Sequence, residues 1–148
     1  MQPTPPRWPR ASTSVFYEDA PAAIDWLCAA FSFELRLRIE GEGGAIEHSE
    51  LEYGDAVVMV GSAGPASGEG APLLWRSPRS AGGCTQAVFI YVDDIDAHHD
   101  QAVAAGAQIF RALATSDYGE GYWSDRGYGC LDPEGHAWWF AQRLATHA

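Results

Sequence analysis

Residues 45–53 read Ala-Ile-Glu-His-Ser-Glu-Leu-Glu-Tyr. His48 and Glu50 stand two positions apart, so on a β-strand they share one face. An imidazole beside a carboxylate can titrate near neutral pH and move a proton. This pair is the candidate for acid–base catalysis, or for a displaced metal site. Trp123 and Asp125 repeat the same two-residue spacing further along the chain. Indole faces beside carboxylates suit a cationic or aromatic molecule, with cation–π attraction of ~0.5–2 kcal/mol per good contact. Arg126 follows at once and could pair with Asp125 or Glu120, or hold an anionic group of a ligand. Trp75 lies in a Leu-Leu-Trp stretch and could close over a pocket. His48, Glu50, Trp123, Asp125, Arg126 and Trp75 are therefore the candidate ligand-binding residues. His98 and His99 are expected on a helix surface, and His136 in a structural turn. Trp138 and Trp139 must point to opposite faces, so at most one of them reaches a cavity. No nucleophile–base triad is visible, and the glycines of Gly41–Gly44 precede no helix, so they form no phosphate loop.

The elements that must carry these residues are written twice. Asp94 lies 75 positions after Asp19, and at that offset Val15–Asp19 matches Ile90–Asp94, Arg36 matches Arg111, and Tyr53-Gly54 matches Tyr128-Gly129. His48 then matches Trp123, and Glu50 matches Asp125. Repetition of this kind indicates two copies of one supersecondary unit. In the first copy Thr13 to Glu18 is strand-like. Asp19 can cap a helix, with Pro21 tolerated in its first turn. Ile24, Leu27, Cys28 and Phe31 recur at helical spacing. Phe33, Leu35, Leu37 and Ile39 alternate with Glu34, Arg36, Arg38 and Glu40, which predicts a half-buried strand. Ala45–Tyr53 and Ala56–Val60 are two further strands around Gly54-Asp55. If Leu51 and Tyr53 face the helix, then Ile46, His48, Glu50 and Glu52 face the other way. The second copy has strands at Gln86–Val92, Ala107–Ala114, Tyr122–Leu131 and His136–Gln142, with a helix running from Asp94 to Gly106. Residues 1–11 read as a Pro-rich flexible arm, 12–60 as unit one, 61–83 as a connector rich in Gly, Ser and Pro, and 84–142 as unit two.

Bulk properties narrow the function. The chain has 148 residues, 47% of them apolar, enough for one domain with a real core. A formal net charge of −11 disfavours nucleic acid and anionic membrane surfaces. No apolar run is long enough to span a bilayer, and the first ten residues lack a secretory pattern, so a cytoplasmic location is expected. The three cysteines, Cys28, Cys84 and Cys130, show no paired spacing and are expected reduced and mostly buried.

Two β-α-β-β-β units, the Val92-Asp93-Asp94 and Ala105-Gly106-Ala107 segments, and the closing Asp132-Pro133-Glu134-Gly135-His136 turn together resemble the vicinal oxygen chelate superfamily. This is the glyoxalase, bleomycin-resistance and extradiol-dioxygenase fold. The resemblance implies an α+β protein whose mixed sheet curls into a cup, with helices outside and a ligand inside, usually as a homodimer. In metal-dependent members His, Gln and Glu ligands come from the first and last strands of each unit. Carried over, those places fall near Ser12, Val58, Ala87 and Trp139, none a competent ligand; a one-residue shift offers only Gln86. The expectation is therefore a metal-free protein without a cofactor that binds a small organic molecule, sequestering a cationic or aromatic compound. The alternative is a lyase or isomerase of small carbonyl compounds using His48 and Glu50; a third is a partner-binding module.

Overall fold

The structure is a computed structural model, and it describes residues 1–66 and 73–147. Of the connector expected over 61–83, residues 67–72 thus lie outside the described residues. The chain divides into two compact units, Met1–Gly83 and Cys84–Ala148.

Unit 1 opens with β1 (Thr13–Tyr17) and α1 (Ala20–Phe31). Asp19 ends the strand and starts the helix, its Oδ1 accepting from the Ala22 amide at 3.1 Å. α1 buries Ile24, Leu27 and Phe31 completely or nearly so. Each such side chain contributes ~1.5–3 kcal/mol relative to exposure. Then follow β2 (Glu34–Glu40), β3 (Ile46–Tyr53) and β4 (Ala56–Ser62). The sheet order is β1-β4-β3-β2, with β1 and β4 parallel and the other pairs antiparallel. Short strands β5 (Gly64–Pro65) and β6 (Leu74–Trp75) and a one-turn helix α2 (Pro78–Ala81) complete the unit.

Unit 2 repeats the plan with β7 (Ala87–Tyr91), α3 (Ile95–Ala104), β8 (Gln108–Asp117), β9 (Trp123–Leu131) and β10 (Ala137–Thr146). Its order, β7-β10-β9-β8, is the same, again with the first pair parallel. Asp94 caps α3 through the Ala97 amide at 3.0 Å, and Gly106, in the left-handed region at φ 91°, follows its end. The fold is α+β, each four-stranded mixed sheet carrying its long helix on one face and leaving the other open.

Three expectations fail. Of the cysteines expected to be mostly buried only Cys130 is, while Cys28 is half-buried and Cys84 is exposed. The alternation of β2 predicts buried leucines, yet Leu35 and Leu37 are 45% and 40% exposed, while the Arg36 side chain is only 14% exposed. β2 is an edge strand with a bulge between Leu35 and Leu37, and the bulge turns Arg36 inward against β3. His98 is not at the surface. It is 6% exposed, with Nδ1 at 2.8 Å from the buried Tyr128 hydroxyl. Burial pushes the Tyr128 phenol up. No helix among the described residues is long and apolar enough to cross a membrane.

Candidate functional site

On unit 1 the face opposite α1 is set by register. Leu51 pairs with Val58 and both are buried, so their neighbours Glu50 and Glu52, paired with Met59 and Val57, point to the open side. There Arg36 organises the polar groups. Its Nε donates to Glu50 Oε2 at 2.7 Å, and its guanidinium lies 3.6 Å from Glu52. His48 Nε2 is 3.0 Å from Glu50 Oε1. The Glu50 carboxyl is held below its usual range, first by the His48 hydrogen bond and then by Arg36, against the opposing effect of burial. His48 and Glu50 are thus brought together on one face, but the carboxylate is engaged on both oxygens.

The N-terminal arm covers this cluster. Arg36 also donates to the Arg7 carbonyl at 2.6 Å, Arg7 pairs with Glu52 at 2.6 Å, and the Trp8 indole lies over the Arg36 guanidinium at 4.7 Å. A cleft of about 600 Å³ runs between the arm and the β3–β4 turn. Trp75 lies elsewhere on the unit, stacked on Phe16 of β1 with centroids 4.5 Å apart. It covers β1 and shares no hydrogen bond or ring contact with the His48–Glu50 pair.

On unit 2 the open face is aromatic. Phe89 and Tyr91 of β7 project from it beside Trp139, while Trp138 is fully buried with its Nε1 donating to Asp132 Oδ2 at 3.0 Å. Asp132 also accepts the Glu134 and His136 amides, each at 3.0 Å, so the Asp-Pro-Glu-Gly-His turn and its His136 are structural. A pocket of about 260 Å³ lies on this face, walled by Phe89, Trp139, Asp125, Ser116 and Arg111 with Gly127 among its lining. Both glycines of β9 sit in tight surroundings, and at Gly127 the neighbour is backbone. A Cβ at Gly127 would lie 2.6 Å from the Phe140 carbonyl oxygen, and one at Gly129 would lie 2.5 Å from the Phe110 ring.

Asp125 binds Arg143 through Oδ1 and accepts the Tyr91 hydroxyl on Oδ2 at 3.0 Å. Arg143 also donates to the Tyr91 oxygen and lies 4.7 Å from the Trp123 ring centroid. The Tyr91 phenol is pushed up, by burial first and then by Asp125. Trp123 and Asp125 thus meet on one face. Arg126 does not join them: as the next residue on β9 it points away, and it grips Asp96 of α3 with Nε and a terminal nitrogen, the shortest contact being 2.7 Å. Sequence reasoning missed Arg36, Arg143, Tyr91 and Trp8 as site residues. The offset match of Arg36 to Arg111 was the available signal for the first.

The donor set for a divalent cation does not fit. Val58 faces α1, and the open-face positions beside it are Val57 and Met59. Ser12, Ala87 and Trp139 supply one weak oxygen between them. His48 and Glu50 already bond each other, and Glu50 bonds Arg36. Among the described residues no three His, Cys, Asp or Glu side chains gather in a way that could hold a metal ion.

Two β-α-β-β-β units, each with one open sheet face bearing polar and aromatic side chains, define the class of fold. The chain belongs to the glyoxalase/bleomycin resistance protein/dioxygenase superfamily, whose family model matches residues 11–140. An uncharacterized protein of Mycobacterium bovis is 32% identical over 135 residues, covering 90% of this chain and 83% of that protein. Among solved structures, TioX from a Micromonospora species is 33% identical with a TM-score of 0.68, covering 90% of this chain and 97% of its own. A glyoxalase/bleomycin resistance protein/dioxygenase from Alicyclobacillus acidocaldarius shares the fold, with a TM-score of 0.62 at 14% identity and coverage of 91% of each chain.

Proposed function

We propose that the protein binds a small, flat aromatic compound without a metal, and acts by sequestering it. The single observation that carries this reading is the unit 2 pocket, where Trp139 and Phe89 flank a floor opened by Gly127. Stacked rings recognise a planar ligand by area and quadrupole. Of the two ligand classes considered, cationic and aromatic, the geometry favours the aromatic one. Glu50 and Asp125, the carboxylates that would attract a cation, are each committed to an arginine.

The test is titration calorimetry of chelator-treated protein with a neutral probe, 2-naphthol, beside the Trp139→Ala variant. Expected is saturable binding that survives chelation and weakens at least about tenfold in the variant, a loss of ~1.4 kcal/mol. Binding that appears only after a divalent cation is restored would overturn the reading. The lyase or isomerase alternative is supported by the His48–Glu50 contact at 3.0 Å and the 36% exposure of the His48 side chain. It requires turnover of a small carbonyl compound that His48→Ala abolishes without loss of affinity. We also propose a cytoplasmic homodimer. The exposed Leu35, Leu37 and Ile39 on edge strand β2 motivate self-association, which light scattering would test.

A further inference from the structure

The duplication allows the two open faces to be compared residue by residue. Arg36 and Arg111 are repeats of one another, 75 positions apart. Each stands where an edge strand slips register against its neighbour: Arg36 between Leu35 and Leu37, and Arg111 opposite Gly129, with irregularities on both sides. A bulge of this kind re-aims a side chain. In unit 1 the arginine finds everything it needs inside the chain. Glu50 and Glu52 supply carboxylates, the Arg7 carbonyl accepts a further hydrogen bond, and the Trp8 ring covers the guanidinium.

In unit 2 each of those provisions is altered. The repeat of Glu50 is Asp125, and both its oxygens are engaged by Arg143 and Tyr91. The repeat of Glu52 is Gly127, which brings no carboxylate and, with the Phe140 carbonyl 2.6 Å from any added Cβ, cannot be exchanged for a residue that would. Arg111 makes no hydrogen bond or ion pair with any described residue, yet it lines the pocket together with Ser116 and Tyr118, whose hydroxyls likewise bond no described residue. Asp125 is the single acid of the lining and Arg111 the single base. With Asp125 neutralised by Arg143, the pocket carries one uncompensated positive charge in a chain of net charge −11. Screening over ~8 Å at physiological salt lets that neighbouring guanidinium outweigh distant surface carboxylates.

We infer that the unit 2 pocket selects flat aromatic compounds bearing a carboxylate or similar planar anion, and that Arg111 is the residue that holds the anion. The inference rests on the aromatic-pocket reading above and names its ligand class. The anion takes the part that Glu52 plays at Arg36, and the guanidinium fork matches a carboxylate in two parallel hydrogen bonds. The ring of the ligand lies over the glycine floor against Trp139 and Phe89, much as Trp8 lies by Arg36. A cationic ligand of the same shape meets Arg111 and is repelled.

The experiment is calorimetric titration with three probes of one shape: 2-naphthoate, 2-naphthamide and 2-naphthylmethylammonium. Wild type, Arg111→Gln and Arg111→Lys are compared at physiological salt. Expected is naphthoate binding at least about tenfold tighter than naphthamide, with the ammonium probe weakest. In Arg111→Gln the naphthoate preference disappears while naphthamide affinity stays within about twofold, and Arg111→Lys keeps part of the preference. Arg111 is exposed and makes no contact that the fold depends on, so circular dichroism should superimpose for all three proteins. Equal binding of the three probes, or a naphthoate preference surviving in Arg111→Gln, overturns the inference while leaving the aromatic pocket standing. Failure of all three to bind at millimolar concentration overturns both.

Discussion

Replacing Glu50 by Gln keeps the shape of the side chain and removes its charge. The Arg36 guanidinium would keep a neutral amide oxygen in place of its 2.7 Å carboxylate partner, and retain Glu52 at 3.6 Å. Both side chains of the pair are largely shielded, at 14% and 9% exposure. A hydrogen bond between charged groups contributes ~1.5–3 kcal/mol, and removing one partner of a fully buried pair costs ~3–5. Glu52 and residual solvent offset part of that, so the expected loss is about 2–3 kcal/mol. For a chain of this size that is about 5–10 °C in Tm. Urea denaturation of wild type, Glu50→Gln, Arg36→Gln and the double variant gives the coupling directly, and it should be about 1–2 kcal/mol. A Glu50→Gln protein within ~0.5 kcal/mol of wild type, or a coupling near zero, would refute the reasoning. Glu50 would then be free of Arg36 and available as a base, which is what the enzymatic alternative needs.

Three further outcomes are expected. Because the Glu50 carboxyl is depressed in the folded chain, its contribution is complete above the ordinary carboxylate range and is lost as pH falls through the folded value; acid titration of urea midpoints should show a smaller pH slope in Glu50→Gln. In native protein a thiol reagent at pH 8 should label Cys84, which is exposed, and spare Cys130, which is buried with its thiol pushed up to about 12; peptide mapping before and after unfolding reads both. Gly127→Ala should cost about 1–3 kcal/mol in urea, because the contact at 2.6 Å is with backbone and cannot swing aside; a stability equal to wild type would mean that β9 and β10 separate more easily than their register implies.

The duplication and the helix starts were legible because they depend on local chemistry. Asp19 and Asp94 accept from the third residue onward whatever packs above them. The Trp138–Trp139 division followed from alternation alone. Alternation also carried a warning about Arg126, which as the neighbour of Asp125 cannot share its face and pairs with Asp96 instead. His98 could have been found too: with Ile95 and Ala102 it falls on the buried side of α3 at spacings of three and four. The exposed leucines of β2 were not legible. Period two persists along β2, but alternation alone does not say which set of an edge strand is covered, and here it is the arginines. Nor could the sequence announce that Arg143, from the far end of β10, reaches Asp125, since that pairing depends on how two antiparallel strands align.

The strap over Arg36 is proline-dense, with Pro3, Pro5, Pro6 and Pro9 flanking its two anchors, and the Trp8 amide closes a turn onto the Pro5 carbonyl at 3.1 Å. Rings that fix the backbone remove conformations from the undocked strap, so less entropy is surrendered when it lies down. Two anchors then suffice to keep it seated. Exchanging the exposed Pro3, Pro5 and Pro6 for alanine would loosen the strap while leaving both anchors in place, an effect exerted chiefly through the state in which the strap is lifted.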